Sequence, residues 1–233
     1  MLDSPLLITA MVVGITHTLM GPDHYLPFVA LSKARRWNTT RTLVMTFLCG
    51  LGHVLSSIII GAIGLSFGWG LGTLEFIEST RGEIAAWLLT VFGGLYLAWA
   101  IKNRGKKHVH THPHAHEGEV HNHLHDHNED HAHPHLEGKK RSITAWSLFI
   151  IFIFGPCEAF IPVLLFPAIK HDWGLVISVT VIFAAATIAT MMSAVYLLSR
   201  GLPILQFNGV RRYGHMVAGG IIFSCGMAIH LGL

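Results

Sequence analysis

The sequence predicts an all-α polytopic membrane protein, with six transmembrane helices in a 3+3 inverted repeat whose first and fourth helices are broken. Three observations lead there. Hydrophobic residues make up 52% of the 233 positions and charged residues only 12%, with a mean hydropathy of +0.52. Six apolar stretches reach the roughly 17 to 25 residues needed to cross a bilayer: 6–31, 43–68, 84–101, 143–169, 175–198 and 213–233. A Gly-Pro pair beside acidic residues recurs in the first and fourth of them.

The first span contains GITHTLMGPDHYLP, residues 14–27, which sets His17, Asp23 and His24 inside an apolar run. Ionisable side chains at such depth are costly and usually line a pathway or hold an ion. Pro22 lacks an amide donor and drives Gly21 out of helical geometry, so the helix is expected to break beside Asp23. A broken membrane helix carrying carboxylate and imidazole is a cation-site pattern. No basic residue precedes this span, which is therefore expected to stay in the mature chain and not to act as a cleaved signal.

The second span carries His53, followed by Ser56 and Ser57, and its glycines allow close helix approach. His53 reads either as a core imidazole bonded to a neighbour or as a wall of the site. The connection after it, residues 68–82, contains Glu75 and Glu78, with Glu83 just beyond, and reads as a solvated loop. The third span has no ionisable residue in its middle and reads as structural. The fourth repeats the opening device, with Gly155-Pro156, Cys157-Glu158 and then Pro162. Cys157 and Glu158 are candidate metal or proton-pathway residues. The repeat divides the chain into a first three-helix half, 1–101, a loop, 102–141, and a second half, 142–233. Three spans per half make the halves enter the membrane in opposite directions.

The loop is unlike the rest. Of the 18 histidines, 12 lie in it: His108, His110, His112, His114, His116, His121, His123, His125, His127, His131, His133 and His135. With few apolar residues to bury, it is expected to be disordered without metal. Imidazoles at this density bind late first-row cations such as nickel, cobalt, zinc and copper through interchangeable sets. All but Arg81 and Lys170 of the 16 basic residues flank alternate connections. The positive-inside tendency makes those connections, the histidine loop included, cytoplasmic, and puts both termini outside. The basic residues read as topology and headgroup anchors, not as a nucleic-acid surface. Cys49, Cys157 and Cys225 form no CxxC pair, so neither a disulfide framework nor a thiolate zinc finger is indicated.

HTLMGPDHYLPFVAL followed by GLGHVLSS resembles the nickel/cobalt transporters of the NicO and NiCoT group, including the UreH-like branch. The internal histidine loop resembles that of the efflux members. The family places an HxxxxDH motif in an early helix. Here the match, HxxxxxDH, is one residue longer between His17 and Asp23. The resemblance implies transport of nickel or cobalt as the carried ion, with zinc as the alternative, across a bacterial cytoplasmic inner membrane. No prosthetic group is implied. The expected metal residues are His17, Asp23, His24 and His53, since imidazole and carboxylate suit borderline divalent cations. Export has a mild preference over import, because a cytoplasmic collector in front of a pore has a direct use there. Proton coupling is compatible, because binding needs unprotonated ligands. The chain is not expected to be an enzyme. A membrane-embedded zinc enzyme and, less favoured, a thiol electron carrier are the alternatives; the first lacks an HExxH helix, and the second would need a cysteine in each broken helix where this chain has Cys157 in one but Asp23 in the other, while no nucleotide-binding loop for ATP coupling is present. The lipid bilayer and divalent ions are the expected partners, and homo-oligomerisation is left open.

Overall fold

The computed structural model describes residues 3–103, 110–116, 119–125, 143–155, 157, 159–201 and 208–231. In chain order, its helices are α1 (Asp3–Met20), α2 (Leu26–Ala34), α3 (Thr39–Ser66), α4 (Leu71–Lys102), α5 (Ile143–Phe154), α6 (Phe160–Ile169), α7 (Trp173–Gly201) and α8 (Asn208–His230). A 3-10 turn, Pro22–His24, joins α1 to α2. Three helices, α3, α4 and α7, are long and apolar enough to cross a membrane, and the pair Ser4–Met20 and Pro22–Ala34, bent by 84° at the Gly-Pro, brings the number to four if it is counted as one span.

The six expected spans are thus found in part. α5 and α6 are apolar but only 12 and 10 residues long, each short of a bilayer on its own. α8 has the length, 23 residues, but opens with charge at Arg211 and Arg212.

The broken helices sort the interior into two clusters. One gathers α2 and α5 with the loop-side parts of α3, α4, α7 and α8: Phe28, Leu31, Cys49, Leu89, Leu148, Phe152, Met191 and Ile222. The other gathers Ala10 of α1, the α6 residues Phe160, Val163 and Leu164, and Val176, Val179 and Phe183 of α7. The two Gly-Pro breaks therefore lie between two separately packed cores. α4 packs along α8, α1 and α3 along α7, α2 on α8, and α3 on α5. The outward stripe of α3, Val44, Phe47, Leu48, Leu51, Leu55, Ile59 and Ile63, is exposed and apolar, which is the surface a lipid-facing helix presents.

α3 starts earlier than its apolar run. The Asn38 side chain accepts from the Arg41 amide at 2.8 Å and caps it. At its other end Gly68, with φ at 66°, makes the left-handed turn, and the Trp69 amide reaches back to the Gly64 carbonyl at 2.8 Å.

One expectation needs correcting. The stretch 68–82 is not a solvated loop, because α4 begins at Leu71 and Glu78 is only 1% exposed. Counting apolar residues stops at a charge, whereas Glu78 and Arg81 stand three residues apart in the helix and pair with each other. Within the histidine loop, residues His110–His116 and Glu119–His125 form β1 and β2, an antiparallel pair in which His110 faces His125, His112 faces His123 and His114 faces His121 in register. The His-x-His alternation has the period of a strand.

The α4–α8 seam is built on glycine. A Cβ on Gly219 would meet the Leu97 backbone at 2.7 Å, and one on Gly226 the Thr90 backbone at 2.6 Å, whereas one on Gly220 would meet nothing within 4 Å. Gly219→Leu is expected to cost about 1 to 3 kcal/mol by overpacking and to lower the apparent melting temperature in detergent by roughly 5 °C or more. Gly220→Leu is expected to melt with the parent; equal melting of the two variants would contradict this packing.

Candidate metal centre

Three elements bring three imidazoles together. α1 presents His17 from its last turn, the 3-10 turn presents His24, and α3 presents His53. One ligand nitrogen from each ring lies within 4.8 Å of the others. The rings meet edge to face, His17 to His24 at 4.9 Å between centroids and His24 to His53 at 5.2 Å. Metal–nitrogen bonds of about 2.0–2.1 Å join donors roughly 3 to 4 Å apart, so small ring rotations close the set. This group could hold a metal ion.

The Gly-Pro break orients the middle ring. With Gly21 extended and Pro22 without a donor, the freed Gly21 carbonyl accepts from the His24 amide at 3.0 Å and lies 3.0 Å from His24 Nδ1. Asp23 Oδ1 lies 3.3 Å from the same nitrogen. His24 Nδ1 is thereby committed, and Nε2 is buried without a hydrogen-bond partner among the described residues. A carboxylate and a carbonyl behind a ligating histidine fix its tautomer and raise its basicity. His53 is held in a similar way, with the Phe152 carbonyl at its ring.

The Nε2 atoms of His17, His24 and His53 are all buried without a hydrogen-bond partner among the described residues. An unsatisfied buried polar group costs about 1 to 3 kcal/mol. Three converging in one place are what a cation would relieve.

The three rings lead inward from a cavity of about 760 Å³ lined by Val13, His17, Asp23, His24, Glu83 and His230, among others. Its walls include Ser79, Gly82, Glu83 and Ala86 in the first half of α4 and Ile229 and His230 at the end of α8, so it lies toward the end of the bundle away from Lys102, where the histidine loop begins. His53 lies deeper, at a small space of about 20 Å³ shared with Leu89, Phe152 and Gly155. Beyond it stands the loop-side apolar core, where the Phe28 and Phe152 rings pack 4.7 Å apart.

Of the expected metal residues, the structure gathers His17, His24 and His53 and sets Asp23 behind His24, outside the group of three. Cys157 is 1% exposed, packs with the α6–α7 cluster, and is not a member of the three-histidine group. Glu158, His108, His127, His131, His133 and His135 lie outside the described residues, as does Pro156.

Sequence reading missed a second polar network beside the site. Arg81 forms a short ion pair with Glu78 and donates to Ser56 Oγ at 2.7 Å, Ser57 Oγ at 3.2 Å, and the Ile153 and Gly155 carbonyls at 2.8 and 3.3 Å. Glu78 Oε2 accepts from the Cys157 amide at 3.0 Å and from Ser57 Oγ at 3.3 Å. The i, i+3 spacing of Glu78 and Arg81 was the available signal.

Comparison with protein-family models, with curated proteins and with solved structures found no match.

In a chain lacking residues 108–135, equilibrium dialysis with Co²⁺ is expected to find one ion bound. His17→Ala, His24→Ala and His53→Ala should each abolish it. Asp23→Asn should weaken it about 10- to 100-fold, the usual cost of removing a residue that orients a ligand. Loss in Asp23→Asn as complete as in His24→Ala would instead make Asp23 a direct ligand.

Proposed function

We propose that this chain is an integral membrane transporter of divalent transition-metal cations, nickel or cobalt, with His17, His24 and His53 as its transit site. The observation that carries the reading is the convergence of three unpartnered, buried imidazole nitrogens at the floor of an open cavity. Three nitrogen donors with an open side suit an ion that must come and go, whereas structural sites close the coordination sphere with four. Nitrogen donors favour late first-row cations over magnesium or calcium, which seek oxygen. The resemblance of HTLMGPDHYLP and GLGH to nickel/cobalt transporters falls on the residues that supply the three rings.

The fold fits a 3+3 inverted repeat. Exchanging α1 with α5, α2 with α6, α3 with α7 and α4 with α8 turns the α1–α7 packing into α5–α3 and the α2–α8 packing into α6–α4, and leaves α3–α7 and α4–α8 unchanged. All of these pairs are in contact. With the histidine loop cytoplasmic, the open cavity faces outward and the Phe28–Phe152 core is the closed inner side of an alternating-access cycle. Membrane insertion follows from the apolar spans and their exposed stripes.

Export remains the preferred direction, with the loop collecting ions on the cytoplasmic side. Proton antiport fits chemically, because protons compete for the same imidazoles, so affinity should fall as pH falls.

Radioactive nickel flux in proteoliposomes tests the reading. The parent chain is expected to carry the ion, His24→Ala to lose flux, and Asp23→Asn to need about 10- to 100-fold more metal for half-saturation. Parent-level flux in His24→Ala would sink the proposed site. In cells under metal load, deletion of residues 108–135 should raise intracellular nickel; unchanged accumulation would remove the loop from delivery.

A further inference from the structure

The Glu78–Arg81 network has no part in the transit site as described, yet it is buried, fully engaged and adjacent to it. Two charges in an apolar interior carry a large desolvation cost, so a buried pair is poor evidence of stabilisation as such. Its placement is more informative. A helix broken at Gly155 leaves α5 with unsatisfied carbonyls and the next segment with unsatisfied amides. In an apolar surrounding these must find partners within the protein. The first break is satisfied locally, by His24 on the Gly21 carbonyl. The second draws partners from α4: Arg81 takes the Ile153 and Gly155 carbonyls, and Glu78 takes the Cys157 amide.

The same guanidinium reaches α3 through Ser56 and Ser57, and Ser56 donates to the His53 carbonyl at 2.7 Å. His53 therefore lies between two surfaces that Arg81 ties together, its own helix and the second break. The break contacts its ring directly: the Phe152 carbonyl faces it, and a Cβ on Gly155 would come within 2.8 Å of Nδ1.

We propose that Glu78 and Arg81 are positioning residues, which clamp the second helix break to α3 and thereby hold the His53 imidazole in the three-histidine group. Neither touches the ion. The clamp makes the metal affinity of one half of the chain depend on the helix break of the other half. This rests on the three-histidine group binding a divalent cation.

Arg81→Lys keeps the buried charge but replaces a planar fork with a single ammonium, which cannot serve Ser56, Ser57 and two carbonyls together. The test uses the full-length chain in detergent and Co²⁺, whose visible spectrum reports coordination. The difference between the parent and His24→Ala isolates the buried group from the histidine loop. With Arg81→Lys in both proteins, this difference spectrum is expected to change shape, and its half-saturating Co²⁺ to rise about tenfold, in the range seen when a ligand's supporting partners are removed. An Arg81→Lys difference spectrum unchanged in shape and midpoint would overturn the clamp. No difference between the parent and His24→Ala would instead overturn the metal site beneath it. Should Arg81→Lys fail to give a monodisperse protein, Ser56→Ala removes one strap and leaves both charges in place. It is read by the same shift in shape and midpoint, and an unchanged spectrum there overturns the clamp.

Discussion

A helix interrupted in an apolar interior must find partners for the backbone groups it frees, and the architecture depends on how two such breaks are satisfied. At Gly21-Pro22 the freed carbonyl is taken by the amide and ring of His24. The residue that repairs the break is thus a member of the three-histidine group, with its other nitrogen buried and unpartnered. At Gly155 the repair comes from Glu78 and Arg81 on α4, and the repaired break supplies the carbonyl that faces His53. Backbone satisfaction and ligand orientation are the same set of hydrogen bonds.

Around the breaks, the packing separates access from closure. The apolar clusters lie on either side of the broken helices, and the three rings step from the open cavity to the edge of the loop-side core. In the proposed transporter that core must loosen for the ion to pass. The glycine seam between α4 and α8 brings two backbones into close contact and gives the halves a common surface over which such a shift could run. The same seam leaves α4 free to carry Glu78 and Arg81 to the opposite break.

Much of the site was legible in the sequence because apolar surroundings make polar residues conspicuous. His17, Asp23, His24 and His53 stand out against the runs that contain them, and Gly-Pro marks both breaks. What sequence reading missed is equally physical. Asp23 reads as a ligand by residue type, but its neighbour's ring occupies its carboxylate, a division of labour visible only in three dimensions. Glu78 and Arg81 read as loop residues because hydropathy counting treats every charge as solvated, whereas an i, i+3 pair can be buried together when serines and free carbonyls surround it. The paired strands in the histidine loop were missed for a related reason. Polar composition was weighed above the two-residue alternation, which was in plain view.

The central claim is that three imidazoles, and not a carboxylate cage, hold the transported ion. X-ray absorption at the metal edge of the chain lacking residues 108–135, loaded with one equivalent of Co²⁺ or Ni²⁺, tests it most directly. The account predicts three imidazole scatterers at about 2.0–2.1 Å, with the imidazole signature lost in His24→Ala. An oxygen-only shell, or an imidazole signal that survives His24→Ala unchanged, would contradict it.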